Sequence, residues 1–229
     1  MHQNLTITWH GHSCFSIDNG TRSLTLDPYS SKMTGYPSLH VETHALLSSH
    51  LHEDHHFPAA VKILPAASPV LQRVESGEDW PSPPDPGLFY YKAVDTCHDE
   101  EGGGKRGKNT VHLVRSNGLV VAHLGDLGHV LSPHQVQAIG RPDLLLIPIG
   151  GVFTLDASTA RQVVRQIQPA NIAPMHYQIG FGDFPIATVE PFLKLVETEW
   201  QIRRLPDPVL LLDHDSFGNC YVFQYQSGV

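Results

Sequence analysis

A chain of 229 residues with 41% hydrophobic content can bury one sizeable core, so a single α/β domain over 1–229 is the expectation. The formal net charge of -8, from 15 Lys and Arg against 23 Asp and Glu, argues against a broad footprint for nucleic acid or an anionic membrane and favours a small-molecule substrate. Cys14, Cys97 and Cys220 form no CxxC pair, the N-terminus carries no leader pattern and no segment reaches the apolar length of a membrane span, so a reducing, cytoplasmic setting is expected.

The early chain reads as strands at 5–9, 14–17 and 23–26, with Asn19-Gly20 as the turn between the last two. After a loop at 29–37, the apolar run 45–48 reads as a short buried strand that delivers the chain into a cluster of histidines. Residues 80–87 are rich in proline and 96–109 in glycine and charge, so both are expected as surface loops, with a strand at 89–94 between them. Strands at 112–115 and 119–124 flank the turn Ser116-Asn117-Gly118, and 143–149 is a strongly apolar strand. Helical patterns occupy 132–139, 157–167 and 188–199, the first opened by Ser132-Pro133 as cap and first turn. Strands at 209–212 and 221–224 close the chain. Strand-rich ends with helices between them predict two sheets covered by helices.

The chain holds 16 histidines, more than its 15 Lys and Arg, and their placement is informative. Residues 50–55 read His50-Leu51-His52-Glu53-Asp54-His55, directly after the apolar run. In extended chain His50 and His52 fall on one side, while Asp54 and His55 face elsewhere as the chain turns. Imidazole combined with carboxylate suits zinc, manganese or iron better than calcium or magnesium. A polar surface turn with accidental histidines is the alternative, and so dense a cluster behind a strand argues against it.

This HxHxDH run resembles the signature of the metallo-β-lactamase fold superfamily. Trp9-His10-Gly11-His12-Ser13-Cys14-Phe15 and Leu26-Asp27-Pro28 resemble the opening of its branch of ascorbate-lactonase-like and N-acyl-phosphatidylethanolamine phospholipase D-like hydrolases. The resemblance implies a four-layer αββα sandwich and two divalent metal ions, zinc first, with manganese or iron as alternatives. Carried over position by position, it makes His50, His52 and His98 ligands of a first ion and Asp54, His55 and His176 ligands of a second, with Asp126 bridging the two. His98 stands in Thr96-Cys97-His98-Asp99, Asp126 in Leu124-Gly125-Asp126-Leu127-Gly128 and His176 in Pro174-Met175-His176-Tyr177. His123, which also ends a strand near Asp126, competes with His98; Arg106-Gly107-Lys108-Asn109 favours His98, and both stay open.

Two ions ~3.5 to 4 Å apart share a water and lower its pKa towards ~7, which implies a hydrolase acting through a bridged hydroxide on a small ester, lactone or phosphodiester. Asp54 is then expected to orient that hydroxide and Tyr177 to donate to the developing oxyanion. His12 and Asp27 are expected to hydrogen-bond the far nitrogens of metal-bound imidazoles, with a purely structural role as the alternative for His12. Lys105, Arg106 and Lys108 either steer an anionic substrate or are simply solvated, and His112, His129, His134 and His214 are expected not to bind metal. A nucleic-acid phosphodiesterase and a metal-binding protein without turnover are the alternative functions. His52 stands where oxygen-reducing diiron relatives are expected to carry glutamate, which disfavours redox chemistry. The sequence sets neither the substrate nor the oligomeric state.

Overall fold

A computed structural model describes residues 4–82 and 87–227. The loop expected at 80–87 therefore lies partly, at 83–86, outside the described residues. The N-terminal half contributes β1 (Leu5–Gly11), β2 (Cys14–Asp18), β3 (Ser23–Leu26), α1 (Ser31–Thr34), β4 (Val41–Thr43), β5 (Ala45–Leu47), β6 (Val61–Ile63) and β7 (Leu71–Arg73). Next come β8 (Phe89–Cys97), β9 (Lys108–Ser116), β10 (Leu119–His123), α2 (Pro133–Ile139), β11 (Leu144–Pro148), α3 (Ala157–Ile167) and β12 (Ile172–Met175). The last elements are α4 (Glu190–Val196), β13 (Gln201–Arg204), β14 (Val209–Leu212) and β15 (Asn219–Val222).

Two sheets carry the fold: one in the order β14-β1-β2-β3-β5 and a larger one in the order β13-β15-β12-β11-β10-β9-β8-β7, with β4 and β6 paired apart. Alternation along β1 and β2 sets the register, Ile7 opposing Ile17 and Trp9 opposing Phe15. The Asn19 side chain closes the β2–β3 turn by accepting from the Thr21 and Arg22 N–H groups at 3.1 and 2.9 Å. Leu5, Trp9, Phe15 and Leu24 from the smaller sheet share one core with Phe89, Leu113, Leu144 and Phe223. α3 buries Ala160, Val163, Val164 and Ile167, a stripe at helical spacing, and Asp156 caps it by accepting from Thr159 N–H at 2.7 Å. Ser132 and Gln135 form the capping box of α2, as the Ser132-Pro133 pair predicts.

The α/β architecture is the one expected, with an unequal helical cover: in the N-terminal half α1 is a single turn, joined by a 3-10 turn at Pro58–Ala60. Several local expectations are corrected. The loop at 29–37 contains α1, the strand ending at Leu47 is half-buried instead of buried, and the helix expected at 188–199 contracts to α4. β4, β6, β7 and β13 went unforeseen because three or four residues carry no readable alternation.

Strand direction positions the site. β10, β11 and β12 run parallel, so the turn after β10 and the turn after β12 open at the same edge. β3 and β5 are also parallel, which brings residue 27 beside residues 48–50. Both edges meet at one end of the molecule.

Candidate metal centre

The segment after β5 turns sharply, with His55 and His56 N–H donating to the His52 carbonyl at 2.9 and 2.7 Å. That turn separates two sets of side chains. The donor atoms of His50, His52 and His98 all lie within 4.8 Å of one another, as do those of Asp54, His55 and His176 together with His12. A third group, His50, His55 and Asp126, takes one member from each and so places Asp126 between them. Every residue expected as a ligand is therefore gathered about one centre.

Asp27 organises the centre from behind. Its carboxylate accepts from Ser49 N–H at 2.7 Å, Ser49 Oγ at 2.6 Å and His55 Nδ1 at 2.7 Å. With its hydroxyl proton directed to Asp27, Ser49 Oγ is left to accept from His50 Nδ1 at 3.0 Å. One buried carboxylate thus fixes the tautomer of two imidazoles, directly for His55 and through Ser49 for His50, and leaves both Nε2 lone pairs facing the centre. Burial alone raises the Asp27 pKa, but the His123 and His55 rings and the Ser49 hydroxyl hold it well below the usual carboxylate range. Asp27→Asn is expected to weaken ion binding by roughly 10- to 100-fold, because the amide cannot accept all three hydrogen bonds; a chelator competition titration reads this.

Asp126 occupies the turn after β10, and the turn is built for close approach. A Cβ on Gly125 would lie 2.4 Å from both Asn109 Oδ1 and Ser49 Cβ, and its φ is 54°, so only glycine fits. Asn109 accepts from Asp126 N–H at 2.9 Å and donates to the Leu124 carbonyl at 2.9 Å, which aims the carboxylate inward. Its oxygens lie 3.0 Å from His55 Nε2, 2.9 Å from His98 Nε2 and 3.6 Å from His176 Nε2.

The donor set fits a cation. Nε2 of His12, His50 and His55 and Oδ1 of Asp126 are buried without a hydrogen-bond partner, and His98 and His176 turn their Nε2 towards the same carboxylate. His55 Nε2 and Asp126 Oδ1 are both acceptors once His55 Nδ1 has given its proton to Asp27, yet they stand 3.0 Å apart. Only a proton or a cation relieves that contact.

Proton and ion therefore compete. Burial opposes the charged ring at His55 and His98, but Asp126 outweighs it and raises both above the ordinary histidine value, while burial pushes His50 down to about 4 and His176 to about 3. Burial would raise Asp126 as well, and the facing His176 and His55 rings hold it well below the usual range. A raised pKa means that the metal-free protein keeps protons which an ion must displace. Ion affinity is accordingly expected to rise with pH until the raised values of His55 and His98 are passed and then to level off, with proton release on binding below that plateau. Calorimetric titration in buffers of different ionisation enthalpy measures the protons directly.

The two competing third histidines stand in different surroundings. Both ring nitrogens of His123 are occupied, Nε2 at 2.8 Å from the Ser13 carbonyl and Nδ1 accepting from Gly125 N–H at 3.1 Å, whereas His98 stands in the cluster. Tyr177 is corrected: its ring stacks on Trp9 with centroids 5.7 Å apart and lines a separate cleft of about 400 Å³ with Arg204 and Tyr225, so it is not aimed at the centre. His12 also departs from expectation, since its Nε2 faces Asp54 Oδ2 at 3.5 Å and not the far side of another imidazole. Ser49 and Asn109 escaped the sequence analysis; only their place beside His50 and in Lys108-Asn109 hinted at them. A second cleft, about 500 Å³, opens beside His50 and His52 and is lined by Arg106 and Lys108.

Residues 6–176 match the family model of the beta-lactamase superfamily domain. A UPF0173 metal-dependent hydrolase of Thermoplasma acidophilum is 31% identical over 192 residues, covering 76% of this chain and 84% of the relative. A second, from Methylobacterium nodulans, is 31% identical over 219 residues, covering 80% and 87%. A solved structure from Thermotoga maritima, described as a zinc-dependent hydrolase of the metallo-β-lactamase superfamily, superposes with a TM-score of 0.71 at 29% identity, over 97% of this chain and 100% of its own.

Proposed function

Because the chain belongs to the metallo-β-lactamase superfamily and is a metal-dependent hydrolase of it, we propose that it works with two divalent ions, zinc first, on a small ester, lactone or phosphodiester. The observation that carries this reading is the ring of buried, partnerless nitrogen and oxygen atoms converging from distant parts of the chain. His50, His52 and His98 would hold one ion, Asp54, His55 and His176 the other, and Asp126 would face both. Ions so held supply a water acidified towards hydroxide and a Lewis acid for the attacked carbonyl or phosphoryl oxygen.

The chain's own residues do the rest. Asp54, buried, stays ionised: burial raises its pKa, and the His12 and His55 rings more than offset that. As a carboxylate it is placed to accept a hydrogen bond and so orient the attacking water. Arg106 and Lys108 line the cleft beside His50 and His52, where they can take an anionic part of the substrate, and Leu51, 79% exposed, offers an apolar rim. Arg106 is anchored at this edge by its bond to the Val152 carbonyl at 2.8 Å.

A panel of chromogenic esters, lactones and phosphodiesters, assayed with zinc and with manganese, tests the reading. Turnover of one class, lost on chelation and restored by the ion, is expected. Protein loaded with both ions but inert towards every class would favour a non-catalytic metal-binding role. Salt-dependent binding of DNA or RNA would favour the nuclease alternative, against which the net charge of -8 argues.

A further inference from the structure

The backbone drives His12 into the centre. Gly11 precedes it at φ 100°, where a Cβ would lie 2.6 Å from Tyr36 and 2.9 Å from Tyr225. His12 itself takes φ 50°, in the left-handed region that a non-glycine residue keeps only where the surroundings impose it. They do: its carbonyl accepts from Trp9 Nε1 at 3.1 Å and from His176 N–H at 3.2 Å. His176, at φ 53°, is strained in the same way and tied to His12 by that bond.

The ring is as constrained as the backbone. It packs against His176 and His55, with centroids 4.2 and 5.1 Å away, and stacks on Phe184 at 5.7 Å. His12 is 1% exposed, and its Nε2 has no hydrogen-bond partner although Asp54 Oδ2 lies 3.5 Å away. A nitrogen that served only to orient Asp54 would close that gap and donate to it. One that shares an ion with Asp54 stands off from it, as two ligands of one cation do.

We propose that His12 is a direct ligand of the more buried ion, binding through Nε2 beside Asp54, His55 and His176. The proposal rests on the two-ion reading and deepens it. With His12 included, the two positions differ in kind. The buried ion is enclosed by three imidazoles and Asp54, while the other is held by His50, half-buried, and by His52, exposed at the open cleft, together with His98. The enclosed ion should exchange slowly and the outer one faster.

The test is cadmium-loaded protein read by 113Cd-edited proton spectra, in which only ring protons of a coordinated imidazole couple to the metal. Correlations from assigned His12 ring protons are expected. A parallel titration with zinc against a chromogenic chelator compares wild type with His12→Asn, since asparagine tolerates positive φ and keeps the backbone. Zinc at the enclosed position should weaken more than about 100-fold, beyond the 10- to 100-fold typical of losing an outer partner, while one equivalent still binds at the outer position with its affinity unchanged. Two bound ions with no His12 coupling would overturn the proposal and leave the two-ion reading intact. Fewer than two ions bound by wild type would overturn both. The wild-type spectrum needs no variant, so a poorly folded His12→Asn does not shield the proposal.

Discussion

Asp126→Asn is expected to lower kcat/KM by at least about a thousandfold, the upper end of what one lost electrostatic partner in a transition state costs. Among the described residues Asp126 is the one carboxylate that faces members of both ligand groups, at 3.0 Å from His55 and 2.9 Å from His98. Asparagine preserves its volume and the backbone bond to Asn109, so the turn should keep its shape. It removes the negative charge that two close cations need between them, and it can present an amide N–H to His55 where an acceptor is required. Loss of rate should therefore come with loss of ions, from two per chain to one or none by elemental analysis. A variant with wild-type stoichiometry and rate would remove Asp126 from the centre.

Chelation is expected to produce the second large effect, on stability. An ion present at a thousandfold excess over its dissociation constant adds about 4 kcal/mol to the folded state. For a chain of this size that corresponds to roughly 8–16 °C in Tm per ion. The structural reason is the same set of buried atoms without partners: removing the ions leaves His12, His50 and His55 Nε2 facing carboxylates with no counter-charge but protons. Scanning calorimetry with and without chelator measures the shift. An unchanged Tm would mean that these atoms are satisfied without metal.

How much of this was legible in sequence depends on the distance over which each signal acts. The 50–55 cluster was legible because its ligands are close neighbours behind a strand. His98, Asp126 and His176 were singled out by resemblance alone, since nothing local separates them from surface or core residues; parallel strands bring them together. Asp27 was anticipated as a partner of a metal-bound imidazole, and the structure places it on His55, but its reach to His50 runs through Ser49, a relay no periodicity announces. The directions of His12 and Tyr177 were not legible, for one physical reason. Side-chain direction at a strand end depends on φ, and the positive values at His12 and His176 turn the imidazoles into the centre. The residue after His176 instead sends its ring onto Trp9. Fold class was read correctly because long apolar strands and capped helices give local signals, whereas the short strands β4, β6, β7 and β13 hold too few residues to give one.

The central claim is that two cations sit among these side chains. Its most direct test is the anomalous scattering of crystals grown from protein purified without chelator and supplied with zinc or manganese. The account predicts two peaks roughly 3.5–4 Å apart, flanking the Asp126 carboxylate, one beside His50, His52 and His98 and the other beside Asp54, His55 and His176. Crystals of active protein with no peak within bonding distance of Asp126 would contradict it.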